Sequence, residues 1–103
     1  MFKFILYGEI IQFGPDIELR KKANKLIINA QIRLLKNISN LMQDYDLKNP
    51  AVAYKVLRPS FYNWIEECLD DIRRFALENN RPYSEAELQT TFNMSALKVE
   101  MQL

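Results

Sequence analysis

The 103-residue sequence contains no histidine, a single cysteine, two glycines and four prolines. Each scarcity excludes something. Without histidine the chain lacks the commonest acid–base side chain, the commonest metal ligand and both the Ser-His and Cys-His nucleophile pairs. The lone Cys68 forms no internal disulfide, so stability does not rest on an oxidising compartment. Few Gly and Pro residues mean few tight turns, which favours long helices over an all-β fold. No GxxxxGK[ST] or GxGxxG segment is present to cradle a phosphate. No stretch approaches the ~18 apolar residues of a membrane span. Glu9 interrupts the early apolar run and no small-residue cleavage site follows it, so the expectation is a soluble, cytoplasmic protein without membrane contact.

What is present is a globular composition, 49% hydrophobic and 26% charged, on a length that suits one domain spanning 1–103. The net charge of +1 hides an asymmetry. Residues 1–43 carry seven Lys/Arg against three acids, and residues 44–103 carry seven against ten. The two halves are electrostatically complementary, either neutralising each other or facing different partners.

The β-favouring residues from Phe2 to Phe13 predict a strand, bulged at Gly8 or turned there into a hairpin. Gly14-Pro15-Asp16 stops it, and Asp16 is placed to cap a helix. That helix is expected over 17–45, on a stripe of Leu19, Ala23, Leu26, Ile27, Ala30, Leu34, Ile38, Leu41 and Tyr45. Ile28, Ile32, Leu35 and Met42 widen its apolar arc, as in a central helix or one that packs on another subunit. Asn49-Pro50 signals a second start, for a short helix over 51–57. Arg58-Pro59-Ser60 reads as a boundary, followed by a helix over 60–79 on Phe61, Trp64, Ile65, Cys68, Leu69, Ile72, Phe75 and Ala76. Ser84-Glu85-Ala86-Glu87 is a capping box for a further short helix over 85–92. In the tail, Leu97, Val99, Met101 and Leu103 alternate with polar residues, a period of two that predicts a strand. The expected fold is therefore α+β: mostly helical, with terminal strands forming a small sheet.

The same C-terminal residues also resemble a helix-turn-helix. SEAELQTTF would be the first helix, Asn93-Met94-Ser95 the turn and ALKVEMQL the recognition helix. The likeness covers about twenty residues and departs at Gln89, where a small residue is usual, and in a second helix with Lys98 as its one cation. It implies a nucleic-acid-reading unit, and the strand and recognition-helix readings both stand.

Candidate chemistry is sparse. Glu66, Glu67, Asp70 and Asp71 lie close enough to hold a divalent cation, but without EF-hand spacing they read as a solvated face with an Asp70–Arg74 pair. Cys68 sits on the apolar stripe and reads as a buried thiol. Between Glu18 and Asp44 every charged side chain is positive. Lys21, Lys25 and Lys36 fall opposite the apolar stripe, with Lys22 and Arg33 flanking. These five are the candidate surface for an acidic partner or for nucleic-acid phosphates. Phe2, Phe4, Leu6, Ile11 and Phe13 are the candidate strand-pairing edge, open to a partner or a second copy. The expected function is non-catalytic: an interaction or regulatory protein, such as an accessory subunit or inhibitor of a larger complex, self-associating as a dimer. The alternative is a small nucleic-acid-binding regulator. No cofactor, metal or small-molecule substrate is expected.

Overall fold

Three local signals start three helices. The Asp16 carboxylate accepts the Leu19 N–H at 2.9 Å and opens α1, Ile17–Asp44. The Asn49 side chain accepts the Ala51 N–H at 2.9 Å, with Pro50 in the first turn, and opens α2, Pro50–Glu78. The Ser84 hydroxyl accepts the Glu87 N–H at 3.3 Å and opens α3, Glu85–Glu100. Each cap supplies an acceptor for one of the amide groups that a first turn leaves unpaired.

Two of the helices end in the same way. Asp46 and Asn80 adopt left-handed backbone, with φ of 51° and 56°. Beyond them the Leu47 N–H reaches back to the Met42 carbonyl, and the Arg81 N–H to the Ala76 carbonyl, both at 2.8 Å. These are Schellman closures made without glycine. Gly14, at φ 142°, is the described glycine, and it packs against the loop before α3: a Cβ there would lie 3.4 Å from the Tyr83 Cα.

The computed structural model describes residues 5–6 and 14–103. Among them it is a three-helix bundle, up-down-up, with no strand. Arg33 meeting Trp64 and Lys22 meeting Phe75 set α1 antiparallel to α2. Arg73 meeting Glu85, with Tyr54 and Arg58 meeting Glu100, set α3 antiparallel to α2. The core is one cluster: Leu19, Ile27, Leu34 and Ile38 from α1, Phe61, Leu69 and Ile72 from α2, Leu88, Phe92 and Val99 from α3. With 16 residues against 28 and 29, α3 is about 24 Å long where its neighbours exceed 40 Å. It covers the middle of the hairpin and leaves the α1–α2 tip beyond it.

The α+β expectation is thus corrected to a helical bundle, at three places. The tail is helical through Glu100, because Leu88, Phe92, Ala96 and Val99 are buried at helical spacing while Leu97 and Met101 face solvent. The period of two in the last seven residues coincides with a longer 3.6-residue pattern, and burial follows the longer one. The same continuity removes the helix-turn-helix: Asn93, Met94 and Ser95 are helical, and the Ser95 hydroxyl donates back to the Thr91 carbonyl at 3.0 Å. The boundary at Pro59 is also absent, and the two helices expected over 51–57 and 60–79 are one. Pro59 lies on the exposed side, while Ala53, Tyr54, Phe61 and Ile65 carry the buried face straight past it. Burying that face outweighs the ~3 kcal/mol a mid-helix proline costs.

The predicted N-terminal strand, with Phe2, Phe4, Ile11 and Phe13 of the pairing edge, lies outside the described residues. Ile5 and Leu6 are described and are not in a strand. The Ile5 N–H donates to the Gln102 side chain at 2.7 Å, and the Gln102 amide donates to the Ile5 carbonyl at 2.9 Å. A side-chain amide at the end of α3 thus pairs with backbone as a neighbouring strand would.

Candidate interaction face

The five basic residues singled out from the sequence divide into two groups. Lys22 places its ammonium 5.0 Å from the centre of the Phe75 ring, and Arg33 lays its guanidinium 4.1 Å over Trp64. Both contacts cross the α1–α2 seam, and an aromatic face attracts each cation electrostatically. Lys21, Lys25 and Lys36 are exposed, and none is ion-paired to a described carboxylate. They extend over about 22 Å of α1.

Between the two rows of contacts lies a cleft of about 150 Å³, lined by Leu26, Asn29, Arg33, Trp64, Cys68 and Asp71, among others. The Cys68 thiol donates to the Leu26 carbonyl at 3.7 Å, and burial, with the nearby Asp71 and Glu67 charges, pushes it up to about 11. A thiol held in that state stays protonated at neutral pH. The α1–α2 face therefore has a cationic border along α1, an acidic border of Glu67 and Asp71 along α2, and an aromatic and aliphatic seam between them.

Two of the four acids in the α2 cluster, Asp70 and Asp71, are tied to their own helix. Arg73 pairs with Asp70 at 3.1 Å and Arg74 with Asp71 at 3.6 Å, at i,i+3 rather than the i,i+4 spacing expected for Asp70–Arg74. Among the described residues no group of three His, Cys, Asp or Glu side chains is placed to hold a metal ion.

Two polar networks were not legible in the sequence because each joins residues distant along the chain. Glu100 accepts the Tyr54 hydroxyl at 2.6 Å and the Arg58 Nε at 2.7 Å, while Arg58 stacks 4.7 Å over Tyr62. Burial works to raise the Glu100 carboxyl, and the Tyr54 and Arg58 hydrogen bonds outweigh it and lower the group. Burial raises the Tyr54 hydroxyl, and the Glu100 charge raises it further. At the other end of the bundle Arg81 grips both oxygens of Asp16, at 2.9 and 3.0 Å, and Glu18 at 2.8 Å. Asp16 is lowered first by the Leu19 amide and then by Arg81. Both networks fasten the bundle's ends, and their charges are spent inside the protein.

Apolar residues are also exposed away from the seam. Leu41, Tyr45, Leu47, Val52 and Val56 line a cleft of about 340 Å³ at the hairpin tip. Met94, Leu97 and Met101 lie along the outside of α3. No helix among the described residues is long and apolar enough to cross a membrane. Comparison with protein-family models, characterised proteins and solved structures finds no match to this chain.

Proposed function

We propose that this protein is a non-catalytic interaction module of a regulatory or accessory kind, and that it docks on a protein partner through the α1–α2 face. One observation carries the reading: a half-buried tryptophan capped by an arginine, in a cleft bordered by both signs of charge. Trp and Arg are the side chains that most often dominate binding energy when a partner dehydrates them. The mixed border argues for protein rather than nucleic acid. A phosphate backbone laid on Lys25 and Lys36 would run beside Glu67 and Asp71, whose charges oppose it.

The test is a photo-cross-linking amino acid placed at Asn29, in the centre of the face, and at Thr90 on the exposed side of α3, with the full chain expressed in its native cells. Discrete protein adducts from position 29 and none from position 90 are expected. Adducts that form equally at both positions, or that vanish with nuclease treatment, contradict the reading. Lys21, Lys25 and Lys36, which are exposed and pair with no described carboxylate, favour the nucleic-acid alternative. That alternative requires binding to DNA or RNA that weakens steeply with salt and is lost when all three become Glu.

A further inference from the structure

Resting on that reading, we infer that the partner of the α1–α2 face is a second copy of this chain, bound about a two-fold axis running along the seam, parallel to the helices. The argument begins with the level of each residue. Lys22 is beside Phe75 and Arg33 beside Trp64, so residues of α1 and α2 at the same height have numbers that rise on one helix as they fall on the other. Lys25 is thereby level with Asp71, and Asn29 with Glu67; Asn29, Glu67 and Asp71 all line the one cleft.

A two-fold axis along the seam carries each α1 over the α2 of the other copy without changing height. Lys25 of one copy then faces Asp71 of the other, whose half-exposed carboxylate its own Arg74 meets loosely at 3.6 Å, and the same pair forms again by symmetry. Asn29 faces Glu67 in the same way, as donor to acceptor. Trp64, stacked with Arg33, lies near the axis, so the two tryptophans dehydrate each other at the centre of the contact. The competing arrangement, with the axis across the helices, sets the lysine row on the lysine row and the acids on the acids. Charge chooses the first.

Size and shape agree with this choice. The bundle measures 48 by 20 by 18 Å, so its long face can supply the ~800 Å² per partner of a standard-size interface. Four helices in two antiparallel pairs, joined by a shallow seam, form the four-helix packing that side-chain ridges favour.

Sedimentation equilibrium on the full chain tests the assignment, with wild type, Lys25→Glu, Asp71→Lys and the double variant compared at equal salt. Both side chains are on the surface, so helicity by circular dichroism should match wild type in all four. The expected result is a mass twice the 12.2 kDa of the chain, and a dissociation constant raised roughly tenfold or more by either reversal because each is felt twice. The double variant should return to within about threefold of wild type, since Glu at position 25 then faces Lys at 71. A 12.2 kDa species at every concentration overturns the inference, as does a dimer indifferent to both reversals. If the chain is monomeric while position 29 still cross-links to a different protein, the docking face stands and the second copy does not.

Discussion

At the scale of single residues, the absence of histidine and the two end networks define how this protein should respond to pH. Asp16 and Glu100 are both lowered in the folded chain from ordinary values of 3.8 and 4.5. The unfolded chain therefore binds more protons in acid, and the stability these groups contribute is lost as pH falls below those values. Tyr54 and Tyr62 are raised from 10.0, and Cys68 from 9.0 to about 11. Their contribution is complete below the ordinary values and is lost as pH rises, through 9 to 11 for the thiol and above 10 for the tyrosines. With no imidazole to titrate between these limits, the denaturation free energy should be flat from about pH 5.5 to 8.5 and fall on both sides. Denaturant titrations across pH 3 to 11 would show it, and a slope near pH 6.5 would contradict it. The Glu100 network also shows what local reading misses: Tyr54, Arg58 and Glu100 lie up to 46 positions apart, and no spacing rule connects them.

At the scale of the elements, the helix starts were legible and one helix end and one interruption were not. Asp16, Asn49 and Ser84 cap from within their own first turns, so the residues that decide the matter are adjacent in sequence. Pro59 and the alternating tail are local signals of the same kind, overruled by burial that only the assembled bundle supplies. Phe61 and Val99 are fully buried, and a break at Pro59 or an extended tail would expose one or the other. If the chain pays for that continuity at Pro59, the substitution Pro59→Ala should stabilise it by roughly 1–3 kcal/mol, read from the midpoint of urea unfolding. A lower midpoint would mean that the proline sets a geometry the packing needs. The left-handed Asp46 offers a second test. It lies in an exposed turn, where its ion pair with Lys48 is worth little, so Asp46→Gly should gain up to about 1 kcal/mol. An alanine at the same position should lose stability instead.

At the scale of the whole molecule, a small bundle has secured its ends with ion pairs and left one long face on which Lys21, Lys25 and Lys36 meet no described carboxylate. The charge asymmetry between the two halves was visible in the sequence, and so was the basic row on α1. The seam was not. Trp64 has the spacing of a core residue, and only the antiparallel pairing of α1 with α2 brings Arg33 onto its ring at the surface. The sheet expected from the two termini has no counterpart among the described residues, so of the two features that suggested self-association, strand edges and the wide apolar arc of the first helix, the proposed dimer rests on helix faces.

Trp64 is the sole tryptophan, and it sits at the centre of the proposed contact. Its emission and its quenching by acrylamide, followed on dilution from millimolar to micromolar protein, are therefore the most direct measurement. Dilution is expected to shift the emission to the red and open the ring to quencher, with Lys25→Glu reaching the diluted state at a concentration roughly tenfold or more higher than wild type. A wild-type signal that does not change with concentration would contradict it.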